Sequence, residues 1–252
     1  MEEQLWSACA DGKVEDVRKF LQNEEINKAN QNDGSTPLYI ACEYGHIEIV
    51  KLLLNDNRVD INKATNGGHS PFWIACYRGH IDIVKLLLND NRVDFNKANT
   101  DDQTPFFFAC WNGHIEIVKL LLNDERVDIN RSTDDSITPF SIACQYGHIE
   151  IVIYMLACGR EIDINKKDED GKTGLDYAKE RGREEMQMDE LDESDDEWEN
   201  EKDFQETKKI VKLIESFERN QNETRFQLRI QLGLAGKSLF CIFFNFLFKK
   251  KY

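Results

Sequence analysis

An all-α solenoid of about six helix-turn-helix repeats is the fold this sequence predicts, and three observations carry it. The chain's four prolines sit at one position of a unit that recurs every 34 residues, as Thr36-Pro37, Ser70-Pro71, Thr104-Pro105 and Thr138-Pro139. Each opens a block running through Ala-Cys, Gly-His and Ile-(Glu/Asp)-Ile-Val, with Lys-Leu-Leu-Leu-Asn-Asp closing the first three. Within a block, two apolar helical patterns flank a glycine, and a polar stretch leads to the next block. A fixed period of this size means units stacked in a row. Such rods present a long surface and rarely a catalytic pocket.

The first full block shows why each element forms. Thr36 is a good N-cap, since its hydroxyl can accept from an otherwise unpaired first-turn amide, and Pro37 follows where a missing N–H costs nothing. Leu38, Ile40 and Ala41 give a short helix its apolar face, and Gly45 ends it by permitting a left-handed backbone. Ile47, Ile49, Val50, Leu52, Leu53 and Leu54 are too many apolar residues for one narrow stripe, so this second helix must be covered on more than one side, by its neighbours. From Asn55 to Asp60 the pattern turns polar. Ile61-Asn62-Lys63 and Asn66-Gly67-Gly68 then read as a turn-rich excursion before Ser70-Pro71.

Helix, tight turn, helix and polar excursion, opened by Thr-Pro and carrying Gly-His between the helices, resembles the ankyrin repeat. A period of 34 fits the tetratricopeptide repeat better than the ankyrin value of 33. Only eight or nine helical residues fit between Pro37 and Gly45, however, too few for tetratricopeptide helices. The extra residue is placed in Asn55-Asp56-Asn57-Arg58. The resemblance implies an ankyrin-repeat α-solenoid with short β-hairpin-like loops and a concave protein-binding groove.

The array extends at both ends. Trp6 to Val17 aligns with the template but lacks Thr-Pro, as a capping repeat would. Thr173-Gly174-Leu175-Asp176-Tyr177-Ala178 aligns with Thr138 to Ala143 at a spacing of 35, and Gly182-Arg183 stands where Gly-His is expected. The second helix reappears as Ile210-Val211-Lys212-Leu213, the same string as Ile49 to Leu52. The expected organisation is a capping repeat over 1–34, four repeats over 35–171, the first helix of a sixth repeat over 172–183 and a disordered acidic insertion over 184–205. A second helix and C-terminal cap follow over 206–234, with a cap helix around Glu223 to Leu232, and an apolar and basic tail over 235–252.

Residues 184–203 hold twelve Asp/Glu and one Lys, −11 of the chain's net −15. That composition predicts a solvated, disordered segment. Ser194, in Glu193-Ser194-Asp195-Asp196-Glu197, looks like an acidic-directed kinase site, a candidate modification. The tail carries Ser238 to Phe248 and then Lys249-Lys250-Lys251-Tyr252. Eleven helical residues reach about 16 Å against roughly 30 Å of hydrocarbon. A misassigned exon end or a disordered tail, an interfacial anchor and a true span therefore stay open for it. Met1-Glu2-Glu3-Gln4 is acidic and predicts no signal peptide.

Five of the seven cysteines, Cys9, Cys42, Cys76, Cys110 and Cys144, share one repeat position. Successive helices pack roughly 8–10 Å apart, beyond the reach of a disulfide, so these are read as buried small hydrophobes in a reducing compartment. Cys42 and His46, with their three equivalents, have a metal-compatible spacing of four, but a glycine breaks the helix between each pair. No cofactor and no metal are expected. There is no phosphate-cradling glycine loop, no His-Glu-x-x-His and no CxxC, so no enzyme is expected. The negative charge disfavours nucleic acid. Every histidine except His69 is explained by the repeat.

Function then lies where the repeats differ. After Ala-Cys come Glu43-Tyr44, Tyr77-Arg78, Trp111-Asn112 and Gln145-Tyr146, and the resemblance implies that these close the inner helix and face the groove. Aromatics and Arg dominate binding hot spots. The hairpin tips at 31–33, 66–69, 100–103 and 133–136 form a second column. A third replaces the family's usual histidine with Tyr39, Trp73, Phe107 and Ser141, read as aromatic packing in place of its hydrogen bonds, with a widened groove as the alternative. The expectation is a monomeric cytoplasmic adaptor or scaffold holding a protein partner, with no membrane and no nucleic acid. The alternative is a regulatory or tethering protein acting through the acidic insertion and tail.

Overall fold

The computed structural model describes residues 2–21, 26–189 and 197–234. Among them are thirteen helices and no strand. The capping pair is α1 (Glu2–Ala10) and α2 (Val14–Phe20). Four template pairs follow: α3 (Pro37–Glu43) with α4 (Ile47–Leu54), α5 (Pro71–Arg78) with α6 (Ile81–Leu88), α7 (Pro105–Trp111) with α8 (Ile115–Leu122), and α9 (Pro139–Gln145) with α10 (Ile149–Ala157). Three longer helices close the array, α11 (Gly174–Asp189), α12 (Glu197–Arg219) and α13 (Gln221–Gln231). Inner helices stack in the order α1, α3, α5, α7, α9, α11, and outer helices in the order α2, α4, α6, α8, α10, α12.

The template's constant letters each make a joint. Thr36, Ser70, Thr104 and Thr138 accept from the backbone N–H three residues on, at 3.2, 3.1, 3.1 and 3.0 Å. That satisfies a first-turn donor that would otherwise lack a partner. The Gly-His pair is a mortise between repeats. His46, His80, His114 and His148 donate through Nε2 to the carbonyls of Ala10, Glu43, Tyr77 and Trp111, at 2.7 to 2.9 Å. Each ring lies against the glycine of the preceding turn. At Gly79, where φ is +79°, an added Cβ would come within 2.8 Å of the His114 ring. Gly79→Ala therefore incurs both a left-handed backbone and a displaced histidine. It is expected to cost about 1–3 kcal/mol, read as a lower thermal midpoint by circular dichroism; an unchanged midpoint would mean that the turn tolerates a side chain.

The loops carry two further ladders. Asn62, Asn96 and Asn130 each donate Nδ2 to a carbonyl of the next repeat, Arg92, Arg126 and Glu161, at 2.7 to 2.8 Å. Their Oδ1 atoms accept from the backbone N–H groups of Asp94, Asp128 and Asp163. Hairpin tips join by backbone bonds, Asn66 N–H to Asp33, Thr100 to Gly67, Asp134 to Asp101 and Glu169 to Asp135.

The core is one continuous cluster in which Leu38, Phe72, Phe106 and Phe140 repeat beneath the inner helices and Ile49, Ile83, Ile117 and Ile151 beneath the outer ones. Cys9, Cys42, Cys76, Cys110 and Cys144 are free thiols with no exposure. Burial pushes the Cys9 thiol up to about 12 and is the largest cause that raises the other four, with Cys42 adding to the shift at Cys76 and Cys144 to that at Cys110.

The last repeat departs from expectation. Helix α11 does not stop at 183 but runs to Asp189, and α12 begins at Glu197, so the described parts of the 184–205 stretch are helical. Residues 190–196, with Ser194, and the tail at 235–252 lie outside the described residues. Charge does not end a helix, and Glu, Met and Gln are good helix formers. Gly182 stays within α11 and packs close to α12, where an added Cβ would lie 3.3 Å from the Thr207 side chain. With no turn at Gly182, the place taken elsewhere by histidine falls to Arg181, whose guanidinium lies over Gly147. Helix α12 packs on α10 and α11 through buried Ile210, Ile214 and Phe217. The cap helix is α13, which covers α10 and α12 while Arg225 donates to the Leu156 carbonyl at 3.2 Å.

Candidate binding groove

Repeating inner helices place equivalent residues side by side, and the differences between repeats convert part of that column into a continuous aromatic stripe. Trp73 and Tyr77 stack with ring centroids 5.3 Å apart. Phe108 sits edge-on to both, at 4.7 and 5.3 Å. It stacks on Trp111 at 5.5 Å, and Trp111 meets Tyr146 at 5.2 Å. The His69 ring extends the series at 4.1 Å from Trp73. Offset and edge contacts of this kind each add about 0.5–1.5 kcal/mol beyond area burial and hold the rings rigid.

Of the residues expected to face the groove, Tyr77, Trp111 and Tyr146 are brought together. Tyr146 is 40% exposed, while Tyr77 and Trp111 are half-buried. Tyr44 is 58% exposed and stands apart, stacked at 6.5 Å on its own His46. Two features separate it. Ile74 occupies the place from which, one repeat later, Phe108 bridges Tyr77 to Trp111. Arg78 lies over the Tyr77 ring and pairs with Glu43 at 2.7 Å. Asn112 is spent on structure, donating Nδ2 to the Tyr77 carbonyl at 3.0 Å. Gln145 is half-buried beside Tyr146.

The third column does not widen the groove. Tyr39, Trp73, Phe107 and Ser141 are all buried, at 8, 4, 1 and 3% exposure. Trp73 replaces the missing inter-repeat bond directly, donating Nε1 to the Gln103 carbonyl of the next hairpin at 3.0 Å. Phe108 is the groove residue that sequence reasoning passed over. The signal was present, since Ile40, Ile74 and Ile142 hold its position in the other three Thr/Ser-Pro repeats and, of these four, this one alone carries an aromatic. His69, the histidine outside the template, marks the stripe's other end. Burial lowers its pKa and the nearby Asp101 carboxylate opposes that shift.

The described residues hold no candidate metal centre. Among them no three His, Cys, Asp or Glu side chains are grouped to hold a metal ion. The Cys42–His46 spacing belongs to the joint already described, with the thiol in the core and the imidazole on Ala10. A cleft of about 220 Å³ at the turn edge is lined by Gly113, Gly147, His148, Glu150 and Glu206. No helix among the described residues is long and apolar enough to cross a membrane.

Comparison with known proteins agrees with this geometry. The family profile for ankyrin repeats matches three overlapping stretches, residues 5–99, 57–133 and 106–187. An ankyrin repeat-containing protein of Schizosaccharomyces pombe is 36% identical over 58 residues, which is 23% of this chain and 28% of that protein. Ankyrin repeats are generally protein-protein interaction modules and typically lack catalytic activity. With its stacked helix pairs, its joints between repeats and a matching profile over most of its length, the chain belongs to the ankyrin-repeat family.

Proposed function

We propose that this protein is a non-enzymatic intracellular adaptor or scaffold that holds a protein partner in its concave groove. The observation that carries this reading is the aromatic stripe from Tyr77 through Phe108 and Trp111 to Tyr146, backed by buried Trp73. Rigid aromatics bury much area at low entropic cost, the property that makes such residues hot spots. Tyr77 and Trp111 both belong to it, with the hairpin tips beside them. Tyr44 with the Glu43–Arg78 pair forms a separate, peripheral contact patch.

The double variant Tyr77→Ala/Trp111→Ala tests the proposal in a crosslinking pull-down from the source cell. Each hot-spot truncation costs about 2 kcal/mol or more of binding, so capture is expected to be lost while the thermal midpoint stays close to that of the parent. Unchanged capture would place the contact elsewhere. If capture instead vanishes on removing residues 190–196 and 235–252 alone, which lie outside every described helix, the repeats serve as a spacer and the acidic and terminal segments provide the output.

A further inference from the structure

The edge of the groove formed by the hairpin tips is acidic where the stripe is aromatic. Between Lys97 and Lys172 the tips carry Asp101, Asp102, Asp134, Asp135, Asp168, Glu169 and Asp170. Asp102 is paired with Arg131, and Asp168 accepts from the Tyr177 hydroxyl. Asp101, Asp134, Asp135, Glu169 and Asp170 are exposed and form no ion pair among the described residues. Most cations of the same hairpins are already engaged. Lys97 donates to the Asn62 carbonyl, Lys166 to Ser132 Oγ and Lys172 to Glu180, which leaves Lys167 as the exposed cation of this stretch.

The acids form a row rather than a scatter, because the tips are bonded to one another, Asp134 N–H to the Asp101 carbonyl and Glu169 N–H to that of Asp135. The row also lies along the stripe. Trp73 is bonded to Gln103 at the foot of the Asp101 hairpin, and Asp101 acts electrostatically on His69, which packs on Trp73. Like charges in a row repel one another and attract a ligand of opposite sign, which favours encounter and fixes register.

Resting on the groove reading above, we propose that the occupant is an extended lysine- or arginine-rich segment of another protein. One or two of its apolar side chains lie on Phe108, Trp111 and Tyr146, and its cations face Asp101, Asp134, Asp135, Glu169 and Asp170. Three repeats at roughly 8–10 Å each span two steps, about 16–20 Å. An extended segment of about six residues covers that distance at about 3.3 Å per residue.

The test is selection of a random dodecapeptide library displayed on phage against the full chain, run beside Phe108→Ala/Trp111→Ala. Peptides enriched on the parent are expected to carry net positive charge and an apolar residue, and to lose enrichment on the double variant. The affinity of an enriched peptide should fall at least about tenfold in Asp101→Asn/Asp134→Asn/Asp135→Asn, and at least about fivefold between about 50 and 300 mM NaCl. These exposed acid-to-amide changes are expected to leave the melt unchanged. Groove-dependent enrichment of neutral or acidic peptides would overturn the charge complementarity and leave the groove reading intact. Basic peptides that bind equally to the double variant, or no enrichment over it, would overturn both.

Discussion

Phe106→Ala is expected to lower stability by about 3–5 kcal/mol, the cost of deleting a fully buried aromatic ring and leaving its cavity. The ring is 1% exposed on α7, which packs against α5, α8 and α9 near the middle of the array. In a solenoid each repeat is held by its neighbours, so weakening a central one also loosens the coupling between the two halves. The melt should therefore broaden or split into two steps, and hydrogen exchange should localise the lost protection to α5 through α9. Phe106→Leu, which keeps most of the volume, should lose less than half as much. Phe108→Ala, on the half-buried neighbouring residue, should cost less stability than Phe106→Ala while removing ligand binding. A Phe106→Ala protein with a single melt at the parent midpoint would contradict the stacking described.

Ile214→Asp is expected to unfold the end of the array. Ile214 on α12 has no exposure, and among the described residues α12 is held by α10, α11 and α13. An unpartnered carboxylate in that position costs several kcal/mol. Coupling between repeats is nearest-neighbour, so α11 to α13 should lose helicity while α1 to α8 keep theirs. Far-ultraviolet circular dichroism would show a partial loss of helix, and hydrogen exchange would place it between Gly174 and Gln231. Lys212→Asp, exposed on the same helix, should leave both signals unchanged. Retained protection across α12 in Ile214→Asp would mean that this helix does not act as the outer helix of the last repeat.

How much of this was legible in the sequence follows from how local each feature is. N-caps, Pro at the first helical position, the Gly-His turn and the apolar faces involve residues a few positions apart, so the template alone identified them. The string Ile210-Val211-Lys212-Leu213 was readable for the same reason. The break expected at 184 was not real, because a glycine can end a helix or continue it. At Gly182 the helix continues, and the residue it packs beside, Thr207, comes from a different helix. Asn62, Asn96 and Asn130 read only as polar loop residues, since both of their backbone partners lie in the next repeat.

The candidate groove divides in the same way. Tyr77, Trp111 and Tyr146 were visible as variable letters in a constant frame. Phe108 was visible only to a reader comparing it with Ile40, Ile74 and Ile142. That Tyr44 stands outside the stripe was not readable, since it occupies the same repeat position as Arg78, Asn112 and Tyr146.

By itself, then, the sequence determined the family, the helix pairs, the buried cysteine ladder and the column in which binding residues stand, because these depend on a short-range pattern copied at one period. Only the tertiary structure decided which of those residues share a surface, where the last helices end and that an acidic row flanks the aromatic one. Each of those outcomes is a distance between groups on different repeats. It is set by how neighbouring units pack and not by the letters within any one of them.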